Sequence, residues 1–137
     1  AKQNNSISVS CWGSGKPHRE FMHVDDLGEA VKFVLEYWDP PREALYSDKN
    51  LNESFFLNVG TGKDISILDL ANLIAEKSAF KGGILWDKSM PDGTPKKLLD
   101  ISRLSKLGWK PKINLEKGIE MTIESFKKEI ESGICRI

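Results

Sequence analysis

Apolar and polar residues alternate near the start of the chain. Ile-Ser-Val-Ser-Cys-Trp at positions 7–12 sets Ile7, Val9 and Cys11 on one side, the pattern of a half-buried strand. Gly13 and Gly15 permit a tight loop, Pro17 keeps it from becoming helix, and positions 19–24 predict a second short extended piece. The period then changes to that of a helix, with Leu27, Val31, Val34, Leu35 and Trp38 forming an apolar stripe that must dock on something. Asp26, with Glu29 three residues on, has the form of that helix's N-cap, and Asp39-Pro40-Pro41 ends it. Gly28 inside the helix costs up to about 1 kcal/mol relative to alanine. A polar, aperiodic stretch over about 40–54 reads as a surface loop or insertion. Phe-Phe-Leu-Asn-Val at 55–59 predicts a short strand buried on both faces, followed by a turn at Gly60-Thr61-Gly62. Ser66 caps a second helix with Ile67, Leu70, Ala71 and Ile74 along one face, and Gly82-Gly83 leads into the strand Ile84-Leu85-Trp86. A brief helix at 102–107 is stopped by Gly108, and Asn114 opens a last helix with Ile119, Ile123, Phe126 and Ile130 on one stripe.

These elements define a mixed α/β chain with too few strands for a full doubly wound sheet. No Gly-x-Gly-x-x-Gly follows a first strand, so a dinucleotide-binding half is not among them. The 137 residues suffice for one domain, 1–137, and several short elements with apolar stripes suggest a small lobe packed against something larger. The polar N-terminus, without a starting Met or an apolar signal core, reads as part of a longer protein. Net charge is zero with acids and bases interspersed, which argues against a nucleic-acid partner. No apolar run approaches the ~20 residues of a membrane helix. Cys11 and Cys135 form no metal-ligand cluster and read as two free thiols of a cytoplasmic protein, with a disulfide as the alternative.

The candidate chemistry concentrates in two runs. Cys11-Trp12-Gly13-Ser14-Gly15-Lys16-Pro17-His18-Arg19-Glu20-Phe21 places an aromatic ring, a glycine-loosened loop and an arginine in one stretch. Trp12 can stack on a nucleobase, worth about 1–3 kcal/mol in nucleic-acid binders, or serve as a core tryptophan at a strand end. Arg19 can grip phosphate oxygens bidentately, or pair with Glu20 or an aspartate at the surface. The second run, Pro91-Asp92-Gly93-Thr94-Pro95-Lys96-Lys97, offers Asp92 to sugar hydroxyls and Lys97 to phosphate or ribose; an ordinary solvated turn is the alternative. Gly60-Thr61-Gly62-Lys63 superficially resembles a phosphate loop, but Leu57 stands where the first glycine belongs and Asp64 where Ser or Thr belongs, so it reads as a turn. His18 and His23 have no serine, cysteine or tyrosine at a recognisable partner spacing, and His23 reads as structural. Capping accounts for Asp25-Asp26. No catalytic, cofactor-binding or metal-binding residue is assigned.

Trp12-Gly13-Ser14-Gly15-x-Pro17-x-Arg19-Glu20-Phe21-x-His23-Val24-Asp25-Asp26 resembles the carboxy-terminal half of GDP-L-fucose synthases, members of the extended short-chain dehydrogenase/reductase superfamily. The match continues through Asn58-Val59-Gly60-Thr61-Gly62, the run from Pro91 to Asp100, and Leu107-Gly108-Trp109-x-Pro111. The Val-Asp-Asp and Asn-Val-Gly-Thr-Gly pieces are shared by many nucleotide-sugar epimerases and dehydratases; the Trp-Gly-Ser-Gly and Pro-Asp-Gly-Thr-Pro runs are more specific to the fucose branch. The stretch at 40–54 is longer than the family leads one to expect.

The resemblance implies the small mixed α/β substrate-binding lobe of an NADP-dependent 3,5-epimerase/4-reductase that converts GDP-4-keto-6-deoxy-D-mannose to GDP-L-fucose. It implies that Trp12 and Arg19 line the GDP pocket, with Arg19 near the pyrophosphate, and that Asp92 and Lys97 contact substrate. NADP(H) and the reduction and epimerisation residues belong to the amino-terminal half, as does the homodimer contact. The isolated chain is then expected to be inactive. Two other readings stay open: the substrate lobe of a UDP- or dTDP-sugar epimerase or dehydratase, and a stand-alone, non-catalytic nucleotide-sugar-binding module.

Overall fold

The fold is a computed structural model, which describes residues 1–40 and 56–134. The element order is β1 (Ser8–Trp12), β2 (His18–Glu20), α1 (Val24–Tyr37), β3 (Asp64–Ser66), α2 (Ile67–Lys77), β4 (Gly83–Asp87), β5 (Lys96–Lys97), α3 (Ser102–Lys106) and α4 (Leu115–Glu131). This is the small mixed α/β arrangement expected from the sequence. The expected loop at 40–54 falls, apart from Pro40, outside the described residues, as does Cys135; Cys11 carries a free thiol. No helix among the described residues is long and apolar enough to cross a membrane.

The strands form two small sheets. β1 and β4 run parallel, with Val9 opposite Ile84 and Cys11 opposite Trp86. A parallel pair needs a long crossover, which the intervening elements supply. Val9, Cys11 and Ile84 line one apolar cleft with Ala71, Ile74 and Ala75 of α2, the side the period-2 pattern predicts, but Cys11 is half-buried there and Val9 stays exposed. Ile7 precedes the strand and is exposed. In the second sheet β2 lies in the middle, antiparallel to β3 and parallel to β5.

Local chemistry accounts for the helix starts. Ser66 Oγ accepts from Asp69 N–H (3.0 Å) and donates to the Asp69 carboxylate (2.6 Å), a reciprocal cap on α2. Asn114 Oδ1 accepts from Lys117 N–H at 2.9 Å and opens α4. Lys77 near the end of α2 pairs with Glu120 (2.9 Å) and Glu116 (3.7 Å) of α4 and fastens the two helices. Gly108, at φ +105°, stops the chain after α3.

Three expectations are corrected. Asp26 is not the N-cap of α1: His23 is, its Nδ1 accepting from Asp25 N–H at 3.2 Å. Asp26 instead lies buried one turn in, and its carboxylate accepts from the N–H groups of Lys112 and Ile113. A long-range partner, invisible to local spacing, claims that side chain. Second, the α1 stripe docks only in part. The core consists of Ala30, Leu104 and Trp109, with Met22, Phe33, Val34, Leu57 and Val59 packed on it, whereas Leu27, Val31 and Leu35 are exposed. Small Ala30, fully buried, marks the face of close approach. Third, residues 56–59 form no strand, and Phe56 is exposed; no strand among the described residues pairs with them. Leu57 and Val59 reach the core from an irregular segment.

Candidate nucleotide-sugar site

β1 delivers Trp12 to the strand end, where its side chain is largely exposed (73%). The loop beyond it requires its glycines: Gly13 and Gly15 have φ of +79° and +74°, conformations costly for residues with a Cβ. A Cβ at Gly13 would also collide with Asp92 Oδ1, and one at Gly15 with Leu68 and Trp86. Between them, Ser14 donates its N–H to Asp92 Oδ1 at 2.7 Å and its hydroxyl to Oδ2 at 2.6 Å. One carboxylate thus clasps the 13–15 loop to the 91–97 loop. The Ser14 hydroxyl, then its N–H, hold the Asp92 carboxyl below its ordinary 3.8, with Lys16 adding and desolvation opposing. His18 N–H donates to Pro95 O at 2.8 Å and closes the same two segments from the other end.

Arg19 lies on β2 directly in register with Lys97 on β5. In-register neighbours project to the same sheet face, so two cations stand side by side there. The Arg19 guanidinium donates to His18 O at 2.6 Å, and a Cβ at Gly93 would fall 3.1 Å from Nη2. Neither Arg19 nor Lys97 has an acidic partner among the described residues, so the alternative of an Arg19 surface pair with Glu20 or an aspartate is not seen there. The segments that carry the four predicted residues adjoin: Asp92 meets Gly13, next in the chain to Trp12, Gly93 meets Arg19, and Arg19 stands in register with Lys97. Trp12, Asp92 and Lys97 are exposed, Arg19 is half-buried, and neither cation is neutralised by an acidic partner among the described residues.

On the opposite face of the same sheet a carboxylate and an ammonium pair. Asp64 faces Lys96 at 2.9 Å and His18 Nδ1 at 3.2 Å, and its carboxyl is held below the usual range, chiefly by Lys96. His18 therefore stands in an ion-pair cluster away from Arg19. His23 caps α1 and packs beside Gly118 of α4, in accord with a structural role. The Gly-Thr-Gly-Lys segment is a turn whose N–H groups are already engaged: those of Thr61 and Gly62 donate to Glu20. Ser14 and Glu20 are the organising residues that sequence reasoning missed. Their partners lie 78 and 41–79 residues away, and no local spacing encodes them.

The NAD dependent epimerase/dehydratase family matches residues 1–45. A GDP-6-OMe-4-keto-L-xylo-heptose reductase from C. jejuni superposes with a TM-score of 0.78 at 37% identity, over 89% of this chain and 34% of that one. A GDP-mannoheptose C4 reductase from Campylobacter jejuni, solved with NADP bound, gives 0.72 at 37%, over 88% and 35%. In motifs and fold the chain is similar to a lobe of short-chain dehydrogenase/reductase proteins of the epimerase/dehydratase type. Within it, the chain resembles the GDP-L-fucose synthases: it is 40% identical to the probable GDP-L-fucose synthase 1 of Oryza sativa subsp. japonica over 98% of its own length and 36% of that protein's. The chain spans about a third of the length of the relatives it matches.

Proposed function

We propose that this chain is the GDP-sugar-binding portion of an NADP-dependent epimerase/reductase that converts GDP-4-keto-6-deoxy-D-mannose to GDP-L-fucose. What supports this reading is that Asp92 meets the Gly13 that follows Trp12, Gly93 meets Arg19, and Arg19 stands in register with Lys97. The Trp12 indole offers a stacking surface for the base. Arg19 and Lys97, in register and unneutralised, oppose the two negative phosphates, Arg19 with a planar donor fork and Lys97 as a point charge. Asp92, held ionised by Ser14, keeps its remaining lone pairs for sugar hydroxyls. Likeness to proteins whose names specify GDP-L-fucose or GDP-heptose chemistry supports guanosine over other bases.

The described residues do not form a dinucleotide cradle: the sequence has no Gly-x-Gly-x-x-Gly, and the Gly-Thr-Gly turn is engaged by Glu20. NADP(H), the reacting acid–base groups and the homodimer contact are accordingly assigned to the rest of a cytoplasmic protein. The test is NADPH oxidation with GDP-4-keto-6-deoxy-D-mannose. The full-length protein turns over, Arg19→Ala raises KM, and residues 1–137 alone give no turnover. Turnover by residues 1–137 alone, or equal rates with UDP- and dTDP-sugars, overturns the proposal.

A further inference from the structure

The Gly60-Thr61-Gly62 turn and the Arg19-Glu20 pair converge on a feature that substrate contact does not explain. Glu20 Oε1 accepts from the N–H groups of Thr61 (2.5 Å) and Gly62 (2.6 Å) and from the Thr61 hydroxyl (3.2 Å). Its other oxygen, Oε2, accepts from Leu99 N–H at 3.1 Å. A single carboxylate therefore joins three segments distant in sequence: β2, the 60–62 turn, and the stretch just beyond β5. Gly60 is shaped to this contact, because a Cβ there would fall 2.5 Å from Glu20 Oε1. Asn58 ties the same segments a second time, its side-chain N–H donating to Asp100 O at 3.1 Å.

The position of this hub matters. Glu20 follows Arg19 directly on β2, and Leu99 lies two residues past Lys97 on β5. β5 is only two residues long, and a strand so short holds its register poorly without an anchor beyond its end. In a strand, neighbouring side chains point to opposite faces, so Glu20 is turned away from the face that carries Arg19. We infer that Glu20 is a positioning residue of the nucleotide-sugar site: by accepting from Thr61, Gly62 and Leu99 it fixes β5 against β2 and so holds Lys97 beside Arg19. This rests on the GDP-sugar reading above. Glu20 touches no substrate; it sets the spacing of the two cations that do.

The experiment is a calorimetric titration of GDP into the full-length protein and its Glu20→Gln, Gly60→Ala, Arg19→Ala and Asp26→Asn variants, with KM and kcat for the GDP-sugar. Gln keeps the shape of Glu20 but replaces one acceptor by a donor, and Ala at position 60 displaces the carboxylate without altering it. Both variants are expected to weaken GDP and raise KM about tenfold with kcat nearly unchanged, the signature of lost uniform binding. Asp26→Asn loosens another backbone-bonded carboxylate and serves as the control for stability alone. It is expected to lower the melting temperature without weakening GDP. If Arg19→Ala weakens GDP while Glu20→Gln and Gly60→Ala bind as wild type, the positioning role is wrong and the site reading stands. If Glu20→Gln loses no more affinity than Asp26→Asn at matched melting temperature, the role is structural only. If Arg19→Ala binds GDP normally, the site reading fails, and the positioning role with it.

Discussion

Asp26 and Asp92 are both aspartates that accept from backbone N–H groups, yet they respond differently to substitution. Asp26 is buried and holds the N–H groups of Lys112 and Ile113 where the chain enters α4. Asp26→Ala leaves those donors without an acceptor and is expected to cost about 2–4 kcal/mol, read as a lowered urea midpoint. Asp92 is exposed, and its bonds to Ser14 act on loop geometry. Its folded-state pKa lies below its ordinary 3.8, so the clasp contributes stability above that pH and loses it as pH falls through the lowered value. Melting temperature against pH should therefore drop less steeply below about pH 4 in Asp92→Asn than in the wild type. An unchanged acid limb in the variant contradicts the clasp. Trp12, Arg19, Asp92 and Lys97 were singled out by their two short, glycine-containing runs, and it was the family resemblance that raised their binding roles above the bland alternatives. Ser14 and Glu20 were not singled out, because their partners are fixed by tertiary pairing.

At the scale of elements, the helices and the strands β1, β2 and β4 announced themselves, whereas β3 and β5 did not. Ser66 and Asn114 are caps whose partners lie three residues on, within reach of a spacing argument, and α2 and α4 begin where those residues stand. Ser66→Ala should cost about 1 kcal/mol, visible as a small loss in thermal stability. β3 and β5 comprise three and two residues and exist only because β2 runs between them, so no periodicity could have marked them. The segment at 56–59 shows the reverse: it has a strand's composition and no strand beside it among the described residues. For α1 the apolar pattern was read correctly as a stripe, but the face packed on the core centres on Ala30, which the stripe did not include.

At the scale of the whole molecule, the described residues leave several large apolar side chains open to solvent. Val24, Leu27, Val31 and Leu35 on α1 are 44–81% exposed, and Trp12 and Leu85 are open on the face of their sheet turned from α2. Contiguous apolar surface of this kind marks an interaction site or promotes self-association. With about a third of its relatives' length, residues 1–137 alone should bind a hydrophobic dye and sediment as aggregates or oligomers. Leu35→Lys with Val31→Lys should reduce both effects without lowering the melting temperature, since neither side chain belongs to the packed core. The central claim is that the face carrying Trp12, Arg19, Asp92 and Lys97 binds a guanosine diphosphate. Its most direct test is a calorimetric titration of GDP, UDP and dTDP into the full-length protein and into Trp12→Ala and Arg19→Ala. The prediction is GDP binding tighter than either pyrimidine nucleotide, weakened about 10- to 100-fold by each substitution, as expected for a lost stack or a lost charge-assisted bond. GDP binding that both variants leave unchanged, or equal affinity for all three nucleotides, would contradict it.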